Sequence, residues 1–141
     1  MSQISAKASL RVMGVGLDLE AISIELGLKP TYVHLEQPND GSKRTRIGDI
    51  WLLDSPLDKR KPLDVHLRWL VTKLMSHREY LKSLGSSAKI DVFLSYTMEG
   101  DQGGFSLSSK SLAFFSGLNI GFEFSLISLQ KVGKKVGTGP A

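Results

Sequence analysis

The sequence contains no cysteine among its 141 residues, which excludes disulfide bridges, thiolate metal sites and cysteine nucleophiles. It has no apolar run near the ~20 residues that a membrane-spanning helix needs, and its first residues lack the apolar stretch of a signal peptide. We therefore expect a soluble cytoplasmic protein. Apolar residues make up 41% of the chain and charged residues 23%, which are ordinary globular values, so a packed core can form without covalent bridges.

The net charge of +4 would indicate nucleic-acid binding if the basic side chains formed one continuous surface. Three lysines lie instead in a glycine-rich tail, and residues 1–130 carry 15 basic and 14 acidic side chains. Two further basic clusters, residues 43–46 and 59–61, have aspartates nearby. Solvated loops are the favoured interpretation, and weak nucleic-acid binding through the basic loops and the tail is kept as an alternative function.

One pattern occurs twice. Residues 17–32 contain a leucine, a capping aspartate, an aliphatic residue, Gly-Leu and an aromatic residue, and residues 107–122 repeat that order with a capping serine. Each copy predicts a short helix that leads directly into a strand. In the first copy, Asp18 is expected to cap the helix, and Gly27 is expected to end it in the left-handed conformation.

Periodicity predicts the other elements. Apolar and polar residues alternate in residues 8–13 and 89–99, as in strands with one buried face. Leucines recur at spacings of four and three from Leu63 to Leu84, with His77 in the series, and predict one continuous helix of about six turns. The remaining strands are expected at residues 31–36, 49–53, 105–107 and 120–129.

These elements follow one another in the order βαββ, a long helix, then ββαβ. Strands joined by short turns predict a largely antiparallel sheet with helices on one face, an α+β fold. The repeat predicts two pseudo-duplicated halves around the long helix, and the last strand is expected to direct Phe122, Phe124 and Leu126 to the core. Residues 1–130 form the predicted single domain, and residues 131–141 form a basic, glycine-rich C-terminal tail with the composition of a disordered end.

Motifs for catalysis and cofactor binding are weak. Gly14 and Gly16 stand between a strand and a helix, as in a dinucleotide-binding fingerprint, but Leu19 occupies the position of the third glycine. His66 and His77 lie about 16 Å apart along one helix, too far for a single metal ion. We predict no catalytic residues, no cofactor and no metal. An alternative is a small-molecule enzyme that uses a histidine and the loop aspartates. These would be His66, Asp49, Asp54 and Asp58.

Trp51 is the centre of the predicted binding site. An aromatic side chain flanked by arginines and carboxylates is typical of a binding surface, and the strand would then direct Ile50 and Leu52 to the core. An indole buried against the long helix remains the favoured interpretation of Trp51 itself, and the binding surface is where a site would be sought. The predicted site consists of Trp51, Arg44, Arg46, Asp49 and Asp54.

Several of these features occur together in one known family. They are the capped helix and Leu-Gly-Leu-x-Pro of residues 18–30, Trp51, the end of the leucine helix at residues 81–85, and residues 105–120. In this order they resemble a family of small bacterial domains named as domain of unknown function number 4279. The resemblance covers about residues 8–127. It implies an α+β domain and carries no activity or catalytic residues.

The sequence favours a small binding or interaction module without catalysis of its own. The expected partner is another protein or a second copy of the chain, because an exposed sheet edge would allow a homodimer. A small ligand is an alternative partner, nucleic acid is less favoured, and no membrane contact is expected. An immunity-type or accessory protein that neutralises a partner is one specific version of this hypothesis.

Overall fold

The structure, a computed structural model, describes residues 3–36 and 48–130. Within those ranges the chain forms one sheet and a set of short helices. In chain order they are β1 (Gln3–Gly14), α1 (Leu19–Leu26), β2 (Tyr32–His34), β3 (Asp49–Asp54), α2 (Leu63–Leu74), α3 (Arg78–Leu84), β4 (Lys89–Glu99), α4 (Ser109–Gly117) and β5 (Gly121–Leu129). No helix in this part of the chain is long and apolar enough to cross a membrane. The predicted tail and the basic cluster at residues 43–46 lie outside the described residues.

The strands form a five-stranded sheet in the order β2-β3-β1-β4-β5. β1 pairs antiparallel with β3 and with β4, and β2 pairs antiparallel with β3. β4 and β5 are parallel, joined by a crossover through α4. The predicted α+β class is therefore confirmed, but the sheet is mixed. Residues 105–107 are not a strand, so the predicted ββαβ half is wrong, and the chain passes from β4 through α4 to β5.

The core lies on one face of the sheet, to which β1 directs four small or aliphatic side chains. Ala6, Ala8, Leu10 and Val12 are all 0–1% exposed. Leu67 and Leu70 of α2 and Phe115 of α4 are fully buried in the same cluster, and each such side chain contributes roughly 1.5–3 kcal/mol through burial. The helices that position these side chains therefore pack on this face, as the sequence predicts.

The opposite face of the sheet carries polar and charged side chains on its central strands. The Arg11 guanidinium donates from Nε and Nη2 to the two carboxylate oxygens of Asp91, at 2.7 Å each. It also lies 4.6 Å from the centre of the Phe93 ring. Asp54 of β3 accepts from the Ser9 hydroxyl and from Lys7 Nζ. These contacts tie β3, β1 and β4 together across the open face.

The leucine series is buried as its spacing predicts, but the helix is interrupted. A 3-10 turn, Met75–His77, separates α2 from α3. Leu74 before the turn and Leu81 after it are both buried, whereas His77 is half-buried rather than part of the core. Ser76 and His77 have lower helix propensity than the leucines and lysines around them, which is consistent with an interruption at this point.

The two copies of the repeat form helix–strand units that are not equivalent in the sheet. Asp18 caps α1 by accepting from the Ala21 amide at 3.0 Å, and Gly27 follows with φ 65°. After α4 the left-handed residue is Asn119, not Gly117. β2 is a three-residue antiparallel strand, whereas β5 has nine residues and is parallel to its neighbour. The predicted pseudo-duplication is therefore not confirmed.

Candidate functional site

Trp51 lies in the core. Its side chain is 0% exposed, and the indole Nε1 donates to the Ser23 hydroxyl of α1 at 2.9 Å. The burial of Trp51 agrees with the buried-indole interpretation. The binding-surface interpretation is wrong, because Trp51 and Leu53 face the core while Ile50 and Leu52 are half-buried on the other face. The hydrogen bond to Ser23 ties the indole to α1. The indole offers no surface to a partner in the folded domain.

The loop aspartates do not converge. Asp49 Oδ1 and Oδ2 accept from the backbone amides of Glu36 and Leu17, at 2.8 Å each, and these bonds lower the pKa of Asp49. Asp54 is five residues further along the same strand, so its side chain points to the opposite face. Asp58 is held by Arg60, which lowers the pKa of Asp58 to about 2.

These aspartates serve as structural ties in the described part of the chain. Asp49 joins the start of β3 to the segments after β1 and β2, and Asp58 closes a local turn. No group of three or more His, Asp or Glu side chains within the described ranges is arranged to hold a metal ion. Arg44 and Arg46, the other predicted members of the site, lie outside the described residues.

His66 forms a buried pair with Ser55. The Ser55 hydroxyl lies 2.8 Å from His66 Nδ1, and both side chains are buried. His66 Nε2 is buried and has no hydrogen-bond partner among the residues that the structure describes. A serine and a histidine at this distance can act as nucleophile and base, but this pair is closed to substrate. The hypothesis of an enzyme that uses His66 and the loop aspartates stays a prediction.

The buried imidazole predicts a loss of stability on mild acidification. Burial lowers the pKa of His66, and the backbone of Asp58 and Lys61 opposes this to a smaller extent. The unfolded chain therefore binds a proton near pH 6.5 that the folded chain resists, so stability is retained above that pH and falls below it. We expect a decrease of at most about 1.4 kcal/mol per pH unit between pH 6.5 and the lowered pKa of His66.

The measurement is a series of urea midpoints between about pH 7.5 and about pH 5.5, a range that lies above the titration of ordinary carboxylates. The control is His66→Asn, whose side chain retains a partner for Ser55 but does not titrate. This variant should be less stable at neutral pH and show a flatter pH dependence. An unchanged slope in His66→Asn would contradict the assignment to His66.

The largest exposed apolar feature of the sheet is its edge strand β5. Four of its side chains are 46–63% exposed: Phe124, Leu126, Ile127 and Leu129. By the register of β5 on β4, Phe124 and Leu126 lie on the core face and Ile127 and Leu129 on the open face. The predicted inward direction of Phe122, Phe124 and Leu126 agrees with this register. Only Phe122 reaches α4, where its ring lies 5.8 Å from that of Phe115.

A loop supports the exposed half of β5. The Phe105 ring lies 5.1 Å from Tyr96 and 6.0 Å from Phe124, and the Tyr96 hydroxyl donates to the Gly104 carbonyl at 2.9 Å. The Gly100 amide donates to the Leu129 carbonyl at 3.0 Å. These contacts fix the C-terminal half of β5 on one side and leave its outer edge accessible. The strand-like run of aromatic and aliphatic residues at 120–129 indicated the strand, but not that it forms an edge.

These features define a small α+β protein with a mixed five-stranded sheet and an exposed apolar edge strand. The model of the family described as Domain of unknown function (DUF4279) matches residues 2–129, and the chain belongs to this family. The resemblance inferred from the sequence is thereby confirmed. No curated protein and no solved structure matches the chain.

Proposed function

We propose that the protein is an interaction module whose contact element is the outer edge of β5, with a second copy of the chain as its simplest partner. The observation that carries this proposal is the exposure of apolar side chains on both faces of one nine-residue edge strand. An unpaired strand edge presents free backbone donors and acceptors, and apolar side chains beside it add hydrophobic burial when another strand pairs there.

The edge lacks the usual protection against pairing. Monomeric proteins shorten their edge strands or place proline, lysine or other charges on them. β5 has no proline and no lysine, and Glu123 is its only charged residue. The opposite edge strand, β2, has only three residues. Within the described ranges no strand pairs with the outer side of β5. This asymmetry supports β5, rather than β2, as the contact edge.

Antiparallel pairing of two β5 strands about a twofold axis at Ser125 would use the exposed side chains well. Phe124 would then lie opposite Leu126 of the second copy, on the core side of both sheets. Glu123 would lie opposite Ile127 of the second copy, so the two glutamates would not face each other. Such an isologous contact joins the two sheets into one, and it buries all four exposed apolar side chains of β5 at least in part.

The experiment is sedimentation equilibrium of the wild-type protein and of Leu126→Lys. We expect a concentration-dependent dimer for the wild type. The variant should raise the dissociation constant about thirtyfold or more, because substitutions at the centre of an interface cost about 2 kcal/mol or more. The matched control is Ile24→Lys on α1, where an apolar side chain is similarly exposed, at 71%, but lies away from β5. This control should dimerise like the wild type.

A wild-type protein that remains monomeric at high concentration would contradict self-association. Equal effects of Leu126→Lys and Ile24→Lys would contradict the assignment to β5. The immunity-type version of the sequence hypothesis requires the same edge to accept a strand from a different protein. It predicts that a partner complex, where one is isolated, is lost in Leu126→Lys and retained in Ile24→Lys.

A further inference from the structure

A second surface, on the helical side of the molecule, has the composition of a ligand site. An open groove of about 750 Å³ lies between α2 and α4, within the roughly 300–1,000 Å³ that small-molecule sites occupy. Its floor is apolar and includes Val71, Met75 and Phe114. Met75 is 55% exposed there. We call this surface the α2–α4 groove, and it is distinct from the β5 edge.

Three cationic side chains line the α2–α4 groove: Arg68, Arg78 and Lys110. Among the described residues, Asp64 is the one carboxylate in its lining, and that carboxylate already accepts from the Ser108 amide at 2.9 Å and from Arg68 Nε at 3.1 Å. In residues 3–36 and 48–130, no carboxylate lies within salt-bridge distance of Arg78 or Lys110. The groove therefore has positive charge that the described protein groups do not neutralise.

This positive charge is local. Residues 3–36 and 48–130 carry twelve Lys and Arg side chains and thirteen Asp and Glu side chains, so the described part of the chain is slightly acidic. Three cations and one hydrogen-bonded carboxylate around a single apolar groove depart from that balance. A cationic site with apolar walls favours a ligand that is anionic at one position and apolar over the rest of its surface.

The first turn of α4 distinguishes the two ends of the groove. α4 begins at Ser109, has no acidic residue in its first turn, and places Lys110 in the lining. The positive end of its backbone dipole therefore adds to the charge of Lys110 and Arg68, while Asp64 at the same end offsets one of these two cations, so a net positive charge remains. Arg78 lies beside Gly117 at the other end, where the negative end of the helix dipole offsets its charge. The anionic group of a ligand is therefore best stabilised at the Lys110 end.

We propose that the α2–α4 groove binds a small organic anion. Its carboxylate, sulfonate or phosphate group lies between Lys110 and Arg68, and its apolar body lies along Val71, Met75 and Phe114. The Arg78 guanidinium, which lies 5.3 Å from the centre of the Phe114 ring, closes the far end. Binding involves no covalent step. Nothing in this site depends on pairing at β5, so the groove binds its ligand in the monomer and in the dimer.

The test compares two fluorescent probes that differ in charge. Anilinonaphthalenesulfonate carries the sulfonate and the aromatic body, and phenylnaphthylamine has the same body without the charge. We expect the sulfonate to bind at one site per chain and the neutral probe to bind about tenfold or more weakly, since hydrogen bonds to charged groups are worth about that factor. Methyl chemical-shift changes on binding should centre on Val71 and Met75.

Matched variants locate the site. Arg68, Lys110 and Lys73 are all exposed, so replacing them should leave the fold intact, which a thermal melt verifies. Arg68→Gln combined with Lys110→Gln should weaken the sulfonate about tenfold or more and leave the neutral probe unchanged. Lys73→Gln, on α2 outside the groove, should bind like the wild type.

A second variant tests the groove without removing a cation. Ala113 is exposed in the lining, and Ala113→Glu places a carboxylate beside the ligand's anionic group, so it should also weaken the sulfonate. Equal affinity for the two probes, or sulfonate binding unaffected by these variants, would overturn the proposal. Failure of the sulfonate to bind the wild-type protein would also overturn it.

Discussion

Replacing Trp51 with alanine should destabilise the domain by about 3–5 kcal/mol, the range for removing a large aromatic side chain from a core. The side chain is 0% exposed, and its Nε1 donates to Ser23, so the substitution leaves a cavity and removes the tie between β3 and α1. Domains of this size have a total stability of about 5–15 kcal/mol. Denaturant unfolding followed by far-ultraviolet circular dichroism measures the change without relying on the fluorescence of the deleted indole.

The control for Trp51→Ala is Leu52→Ala, the next residue of β3. Leu52 is half-buried on the open face of the sheet, so its truncation removes less buried surface and should cost about 1–2 kcal/mol. The comparison tests which face of β3 contacts the core. A larger loss for Leu52→Ala than for Trp51→Ala would contradict the orientation described here, and would restore Trp51 as a surface residue.

Replacing Gly48 with alanine should cost about 2–5 kcal/mol, because two penalties combine. Gly48 has φ +85°, a left-handed conformation that costs a residue with a side chain about 1–2 kcal/mol. A Cβ at this position would also lie 2.8 Å from the Gly14 carbonyl oxygen. That contact is with backbone at the end of β1, so β1 and β3 would have to separate, and overpacking of this kind costs about 1–3 kcal/mol.

Gly16 separates the two penalties. It has φ +73°, but a Cβ there would meet no atom within 4 Å. Gly16→Ala should therefore show only the conformational cost, about 1–2 kcal/mol. Thermal or urea unfolding of both variants gives the difference, which reports the close approach of Gly48 to Gly14. Equal losses in the two variants would show that this backbone contact is relaxed in solution.

Alternation of apolar and polar residues correctly predicted the strands that bury mainly one face. In β1 and β4 the face opposite the core is mainly polar, so alternation identified both strands and their core sides. In β3 both faces carry apolar residues, so alternation alone did not assign the core side. The side was decided by pairing with β1, where Val12 lies opposite Trp51 and already faces the core. That register is a long-range contact, which the local sequence does not contain.

The position of β5 in the sheet and its exposure could not be predicted from local patterns for the same reason, because both depend on long-range contacts. Phe105 is an aromatic residue of the kind that is common in strands. In the structure it lies outside any strand, and its ring packs on Tyr96 and Phe124. Without a strand at this point, β5 joins the sheet parallel to β4. Phe124 and Leu126 face the core side as predicted, yet they remain 47% and 63% exposed, so their exposure could not be inferred from the strand's own pattern.

The candidate sites also depend on contacts between residues that are distant in the sequence. The predicted site around Trp51 grouped residues that are close in sequence, whereas strand geometry places Asp49 and Asp54 on opposite faces. The α2–α4 groove brings Arg68 and Lys110 together from separate helices, and no local motif joins them. The sequence favoured an interaction module over an enzyme, and that preference stays a prediction. The nucleic-acid hypothesis depends on three basic segments, of which residues 43–46 and the tail lie outside the described ranges, and it stays a prediction.

Hydrogen–deuterium exchange at low and high protein concentration examines pairing through the outer edge of β5 at the backbone groups themselves. We expect protection of amides in residues 121–129 to increase with concentration, because pairing supplies partners for the outward-facing groups. Amides of β2, the opposite edge, should exchange at the same rate in both samples. Concentration-independent exchange across β5, or new protection confined to β2, would rule out pairing at this edge.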